Sequence, residues 1–284
     1  MKKLLVAAII AVSTTGTAYL IYLSLTPGGG GPATVAAAVP EQQILRVAYR
    51  PETLALGRDA LSSPLWNEFP AAAVPLKLQV TAVPWGKATV PEVSVRAFHN
   101  AQRIYFRFEW NDDTENRQIA QNTFPDACAI MFPLNGDPRP ESIMMGFLEP
   151  ANIWAWKAAR DAKIWGQPKP RETAYSDYYY PFVKEEVYSV AVDPLPSAVE
   201  DLVANRIGTT TPKGDQHIRG RGLWAANHWT VIFERALTLE GSELDAKIPR
   251  GAARTVAFAV WNGAKGDRGA RKSISDWVRL EVAP

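Results

Sequence analysis

At 284 residues the chain is long enough for one large domain, or two small ones, with a proper hydrophobic core. Its 31 basic and 29 acidic residues nearly cancel and form no long run of either sign, which argues against nucleic acid as the main partner, because phosphate binding needs a basic stripe. A single cysteine, Cys128, excludes an internal disulfide, a CxxCH covalent attachment motif and a cysteine-cluster metal centre, and in ACAIMFP it reads as a small buried hydrophobe.

The N-terminus reads MKK and then 22 uncharged residues (4–25), enough to span a bilayer as a helix. The leading lysines place that end in the cytoplasm. VSTTGTA within the run could serve as a signal-peptide cleavage site, but YLIYLSL beyond it favours an uncleaved anchor. Either reading exports the rest of the chain, and no twin-arginine pair marks export in a folded, cofactor-loaded state. Residues 26–43, TPGGGGPATVAAAVPEQQ, form a flexible Gly/Pro tether. One globular domain is expected over 44–284, with no internal repeat and no second linker.

Within that domain, period-2 alternation recurs. In RIYFRFEW (103–110), Ile104, Phe106, Phe108 and Trp110 face one way, while Arg103, Tyr105, Arg107 and Glu109 face the other. WTVIFERAL (229–237) and DWVRLEV (276–282) alternate likewise, and RTVAFAVW (254–261), apolar on both faces, reads as a central strand. Shorter strands are expected in LRVAYR (45–50), PLKLQV (75–80), EVSVRAF (92–98), ACAIMF (127–132) and EVYSVAV (186–192). SAVEDLVANR (197–206) opens with a serine N-cap and an acidic first turn, which predicts a short helix. With 22 prolines and 19 glycines between the strands, the fold class is all-β. The expectation is a β-sandwich with long loops and a few short helices, preceded by the N-terminal transmembrane or signal helix.

Hydrolytic and metal motifs are weak. There is no GxSxG, and His99, His217 and His228 stand apart without zinc-site spacing. His99, in FHNAQ, reads as a surface turn residue; His228 reads as a core-edge residue or a ligand, and His217 lies in a polar loop. Asp112, Asp113 and Glu115 in NDDTEN could offer oxygen ligands to Ca²⁺, although a solvated turn explains them as well. WNGAKGDRGARK (261–272) is not a phosphate loop, because no GKS/T follows it.

ESIMMGFLEPANIWAWKA (141–158) holds two of the chain's four methionines, Met144 and Met145, in a Gly/Pro-flanked segment. They could be flexible gap-fillers. A thioether is also a poor ligand for hard cations and a good one for haem iron.

The ordered set AFHNAQRIYFRFEWNDDTEN, DACAIMFP, MMGFLEPANIWAWKA and FAVWNGAKGDRGARKSISDWVRL resembles a known pattern. It is similar to the haem b-binding γ subunits of exported molybdenum enzymes of the DMSO reductase family: those of ethylbenzene and dimethylsulfide dehydrogenases, selenate and chlorate reductases, and related nitrate or nitrite oxidoreductases. The resemblance covers roughly residues 45–284. It implies one non-covalent haem b on a β-sandwich, with Met145 and Lys272 as axial ligands. Met144 and Met131 are the fallback thioethers. Lys265, or His228 or His217, are the alternatives to Lys272. Trp154 and Trp156 would wall the pocket, and Trp261 and Trp277 would flank the lysine. Two saturating ligands imply electron transfer without catalysis by this chain. The implied partners are an iron–sulfur β subunit, a molybdenum-containing α subunit and an external carrier, either cytochrome c or quinone-linked. The implied location is periplasmic, on the membrane through the N-terminal helix. A haem-free alternative, a carbohydrate-binding or docking sandwich, would use aromatic clusters such as YSDYYYPF (175–182) as a sugar platform.

Overall fold

Alternating apolar residues fold into strands because each strand can bury one face. A computed structural model of the protein describes residues 42–79, 86–136, 138, 149–166, 173–175, 189–191, 196–206, 208–239 and 243–284. The N-terminal apolar run, most of the tether, Met144, Met145 and residues 176–182 lie outside the described residues. Among the described residues no helix is long and apolar enough to cross a membrane.

In chain order the strands are β1 Ile44–Tyr49, β2 Ala72–Leu78, β3 Glu92–His99, β4 Arg103–Asn111, β5 Ala127–Pro133, β6 Ala151–Lys157, β7 Thr173–Tyr175, β8 Ser189–Ala191, β9 Val199–Ala204, β10 Thr211–Pro212, β11 Arg219–Ala225, β12 His228–Ala236, β13 Ala253–Trp261, β14 Ser273–Ser275 and β15 Val278–Val282. β7 and β8 pair only with each other, and the rest form one continuous sheet folded into two layers. One layer runs β11-β12-β4-β3, then through β1 and β15 to the first half of β13. The other runs β10-β9-β6-β5, then the second half of β13, β14 and the end of β2. β13 changes layer between Val256, paired with Val278, and Ala257, paired with Met131. β2 crosses likewise, from β3 to β14.

The interior is aromatic. Phe106 of β4 meets Trp154 of β6 at 5.9 Å between ring centroids, and Phe108 meets Phe258 of β13 at 5.3 Å. Trp110 stacks on Trp229 of β12 at 6.1 Å and stands edge-on to Trp156 at 6.4 Å. Ile104, Phe106, Phe108 and Trp110 are all buried, as their alternation predicts. Gly222 of β11 is required by this packing, since a Cβ there would lie 2.2 Å from Cζ2 of Trp156.

Two expectations are corrected. Residues 199–204 form a strand, not a helix, because β9 pairs along β6 from Ala151↔Ala204 to Trp156↔Val199. Tertiary pairing overrides a modest local helix preference there. The Ser197 hydroxyl still accepts from Val199 N at 3.0 Å, but that bond opens a strand. His99 is fully buried at the end of β3. Its Nε2 donates to the Ala283 carbonyl at 3.0 Å and its Nδ1 accepts from Ala101 N at 3.3 Å; burial lowers its pKa.

Candidate functional site

The second layer has two unlike faces. Residues paired across antiparallel strands share a face, so the register gives the outward rows directly. Glu200, Ala155, Ala129, Ala259 and Ile274 form one row across β9, β6, β5, β13 and β14. The next holds Leu202, Ile153, Met131 and Ala257. On the other side come Lys157, Ala127 and Trp261, with Lys272 adjoining just before β14. Met131, Ala151, Ala257, Ala259, Ile274 and Trp277 pack together here, apart from the interior core.

Above this face lies a cavity of about 660 Å³, within the size range of ligand sites. Ala127, Ala129, Ala151, Ala155, Met131 and Ile153 line it, with Phe124, Trp261, Arg268 and Lys272 toward its edge.

The rim is held by buried carboxylates. Asp126 Oδ1 accepts from Gly263 N at 2.8 Å, and its Oδ2 accepts from Asn116 N at 2.8 Å and Trp229 Nε1 at 3.0 Å. Burial nevertheless pushes the Asp126 carboxyl up to about 6. Gly263 is needed at this closure because a Cβ would meet the Phe124 carbonyl oxygen at 1.9 Å. Asp267 accepts from Asn262 N at 3.1 Å and from the Thr89 hydroxyl, and the Asn262 side chain accepts from Lys265 N at 3.0 Å. The glycine-rich WNG…RGARK segment is therefore a braced loop that delivers Lys272 to the cavity.

Lys272 is held on both sides. Its carbonyl accepts from Gln79 N at 3.0 Å, and the next residue, Ser273, accepts from Val90 N at 3.0 Å. Its Nζ lies 5.1 Å from the centroid of the Trp261 ring, whose Nε1 donates to Gly269 O at 3.0 Å. Among the described residues no carboxylate pairs with this ammonium. Burial alone lowers its pKa from 10.5 to about 8.

The structure thus brings Lys272, Trp261, Met131 and Trp156 to one cavity. Trp154 is not among its lining residues: strand alternation turns its indole into the sandwich, where Nε1 donates to Asn152 Oδ1 at 2.8 Å. Trp156 borders the cavity but is itself fully buried, with Nε1 donating to Asp161 Oδ1 at 3.1 Å. Lys265 and His217 are exposed, and neither they nor His228, held by Asn111 at 3.1 Å, lines the cavity. Among the described residues no group of His, Cys, Asp and Glu could hold a bare metal ion. Asp112 is buried and accepts from Thr114 N at 3.2 Å, a turn contact.

Reasoning from sequence missed the alanines of the floor. Their signal was present: alanine occupies every second position at 127 and 129, and at 151 and 155 with Ile153 between. The cavity is apolar over these alanines, with Lys157 and Glu200 at its side, and among the described residues it offers a hard cation no cluster of ligands.

Several known proteins are similar to this chain. A candidate respiratory nitrate reductase heme subunit (ORF7) of Haloferax mediterranei is 26% identical over 225 residues, covering 78% of this chain and 68% of that protein. The chlorate reductase γ subunit of Ideonella dechloratans is 24% identical over 261 residues, 88% and 90% of the two chains. The dimethylsulfide dehydrogenase γ subunit of Rhodovulum sulfidophilum is 26% identical over 207 residues, 68% and 61%. Among solved structures, a carbohydrate-binding protein from Bacteroides uniformis superimposes with TM-score 0.46 at 9% identity, over 85% of this chain and all of that one. The family described as "Ethylbenzene dehydrogenase" matches residues 63–273, from before β2 to the first residue of β14. With that match covering most of its length, the chain belongs to the ethylbenzene dehydrogenase family.

Proposed function

We propose that this protein is the haem b subunit of an exported molybdenum oxidoreductase complex. It relays electrons between an iron–sulfur β subunit, beside the molybdenum-containing α subunit, and an external cytochrome c or quinone-linked carrier. Family membership and the names of the relatives, a heme subunit and two γ subunits, support this reading. One observation in the chain itself carries it: the half-buried Lys272 ammonium lies beside Trp261 at the cavity with no described carboxylate to balance it.

A partly desolvated lysine without a counter-ion is less stable as a cation than one in water, which favours a role for the neutral amine. The amine lone pair is what an iron ligand needs, and a pKa near 8 reduces the cost of exposing it. Haem, when bound, supplies reversible one-electron chemistry at its iron. The chain's own part is to present Lys272 from the braced loop, to exclude water with Trp261, Phe124 and the alanine floor, and to offer a thioether. Met145 is the proposed second ligand, with Met144 and the floor residue Met131 as alternatives. Two protein ligands leave no position for substrate, so this subunit is non-catalytic. The uncharged N-terminal run would hold the complex at the periplasmic side of the membrane.

A sugar-binding platform needs open aromatic faces, and Trp66, Trp110, Trp154, Trp156 and Trp229 are too buried to supply one, while residues 176–182 of the YSDYYYPF cluster lie outside the described residues. The test is an absorption spectrum of the full chain, expressed with haem supplied, before and after dithionite, beside a Lys272→Ala sample. A sharp low-spin ferrous b-type spectrum that changes in the variant supports the cytochrome and its lysine. A spectrum indifferent to the change moves the ligand to Lys265 or a histidine. No haem sinks the reading.

A further inference from the structure

The floor of the Lys272 cavity has a composition that interior packing does not require. Ala129 and Ala155 stand abreast on β5 and β6, flanked along the strands by Ala127 and Ala151, and all four line the cavity, whereas Ala257 and Ala259 of β13 pack with Ile274 and Trp277 outside its lining. At usual strand spacing the pair crosses about 5 Å, and Ala151 to Ala155 runs about 13 Å along the strand. The opposite face of β5 and β6 carries Ile130, Trp154 and Trp156, so the alanines are confined to the outward side. A half-buried lysine in the same cavity, beside Trp261 and without an anionic partner among the described residues, marks that side as made for a ligand.

We infer that the outward alanines, centred on Ala129 and Ala155, are the shape-selecting element of the site: they admit a broad, flat, apolar ring system by keeping the sheet surface level. This rests on the haem reading and adds to it that the ring is recognised by the floor as well as the iron by its ligands. Ordinary strand residues here, valine or leucine, would raise branched side chains into the space the ring needs. Selection by the floor does not depend on iron, so the ring without its metal should also bind.

The probe is metal-free protoporphyrin IX, titrated into full-length haem-free protein and followed by porphyrin fluorescence, with haem loading read in parallel. Wild type, the surface control Asp276→Asn, Ala129→Leu and Ala155→Leu are compared, each checked by circular dichroism and thermal melting. The expected result is binding of the metal-free ring by wild type and Asp276→Asn. Each leucine variant should weaken it about tenfold to hundredfold, the usual penalty of overfilling a packed site, with melting close to wild type. If Ala129→Leu and Ala155→Leu bind the ring and load haem as wild type does, the floor inference is wrong while the haem reading stands. Haem loading without any affinity for the metal-free ring has the same meaning, since iron bonds alone would then hold the cofactor. Failure of wild type to take up either one overturns the haem reading itself, and the floor with it.

Discussion

The two faces of β6 differ by one residue's step along the chain and by everything in their chemistry. Asn152, Trp154 and Trp156 turn inward, where Trp154 packs against Phe106 and Phe132 and lies 4.8 Å from the Arg235 guanidinium. Ala151, Ile153 and Ala155 turn outward and leave space above them. The inner face is filled to the density of a core and owes its residues to stability. The outer face keeps small side chains and a half-buried lysine without a described carboxylate partner, choices that sacrifice stability for a site. Substitutions on the two faces should therefore have opposite signs.

The largest effect is expected inside. Trp154→Ala removes the indole between Phe106 and Phe132, leaves the Arg235 cation without its ring, and should lower stability by about 3–5 kcal/mol in urea or thermal unfolding. A loss under about 1 kcal/mol would mean that the inner face is not the core it resembles. On the outer side, Lys272→Met keeps the stem against Trp261 and removes the charge. In haem-free protein it should gain about 1–3 kcal/mol at pH 7. The sign follows from proton linkage: the folded pKa, about 8, lies below the ordinary 10.5, so the unfolded chain binds the extra proton between them. Wild-type stability should thus rise from about pH 8 to about 10.5, and the variant's advantage should fade over the same window. A variant less stable than wild type at pH 7 would show that Lys272 has a stabilising partner. The smallest effect belongs at the rim of β2, where Lys77 pairs with Asp276 in solvent. Asp276→Asn should change the melting free energy by no more than about 0.5 kcal/mol, more weakly still at high salt.

Much of this was legible in the residues, for physical reasons that can be named. Strand alternation in RIYFRFEW is a local property with period 2, and the inward set Ile104, Phe106, Phe108 and Trp110 follows from it without knowledge of the partner strands. Lys272 and Trp261 share the cavity because only the segment WNG…RKS separates them, and its glycines and Asn262 close a tight loop. SAVEDLVANR misled because its serine and acidic residues suit a helix start, while its role as β9 is dictated by β6, which lies more than forty residues earlier in the chain. His99 misled in the same way: its burial depends on the Ala283 carbonyl, at the far end of the chain. Of the two tryptophans expected to wall the pocket, Trp156 borders the cavity and Trp154 does not, because sequence proximity does not say which face of a strand a side chain takes.

By itself the sequence determined the β class, the single exported domain as an expectation, the family, and the lysine and tryptophan that meet at the cavity. The β class depends on composition and period, which local sterics and hydrophobic patterning fix before any long-range contact forms, whereas the family and the lysine follow from the resemblance of the ordered motifs. Only the tertiary structure decided that alternate alanines from β5 and β6 would lie side by side as one floor, and that Trp154 would face the other way. Register between distant strands sets which residues stand abreast, and a shift of one residue would have exchanged the floor for the core.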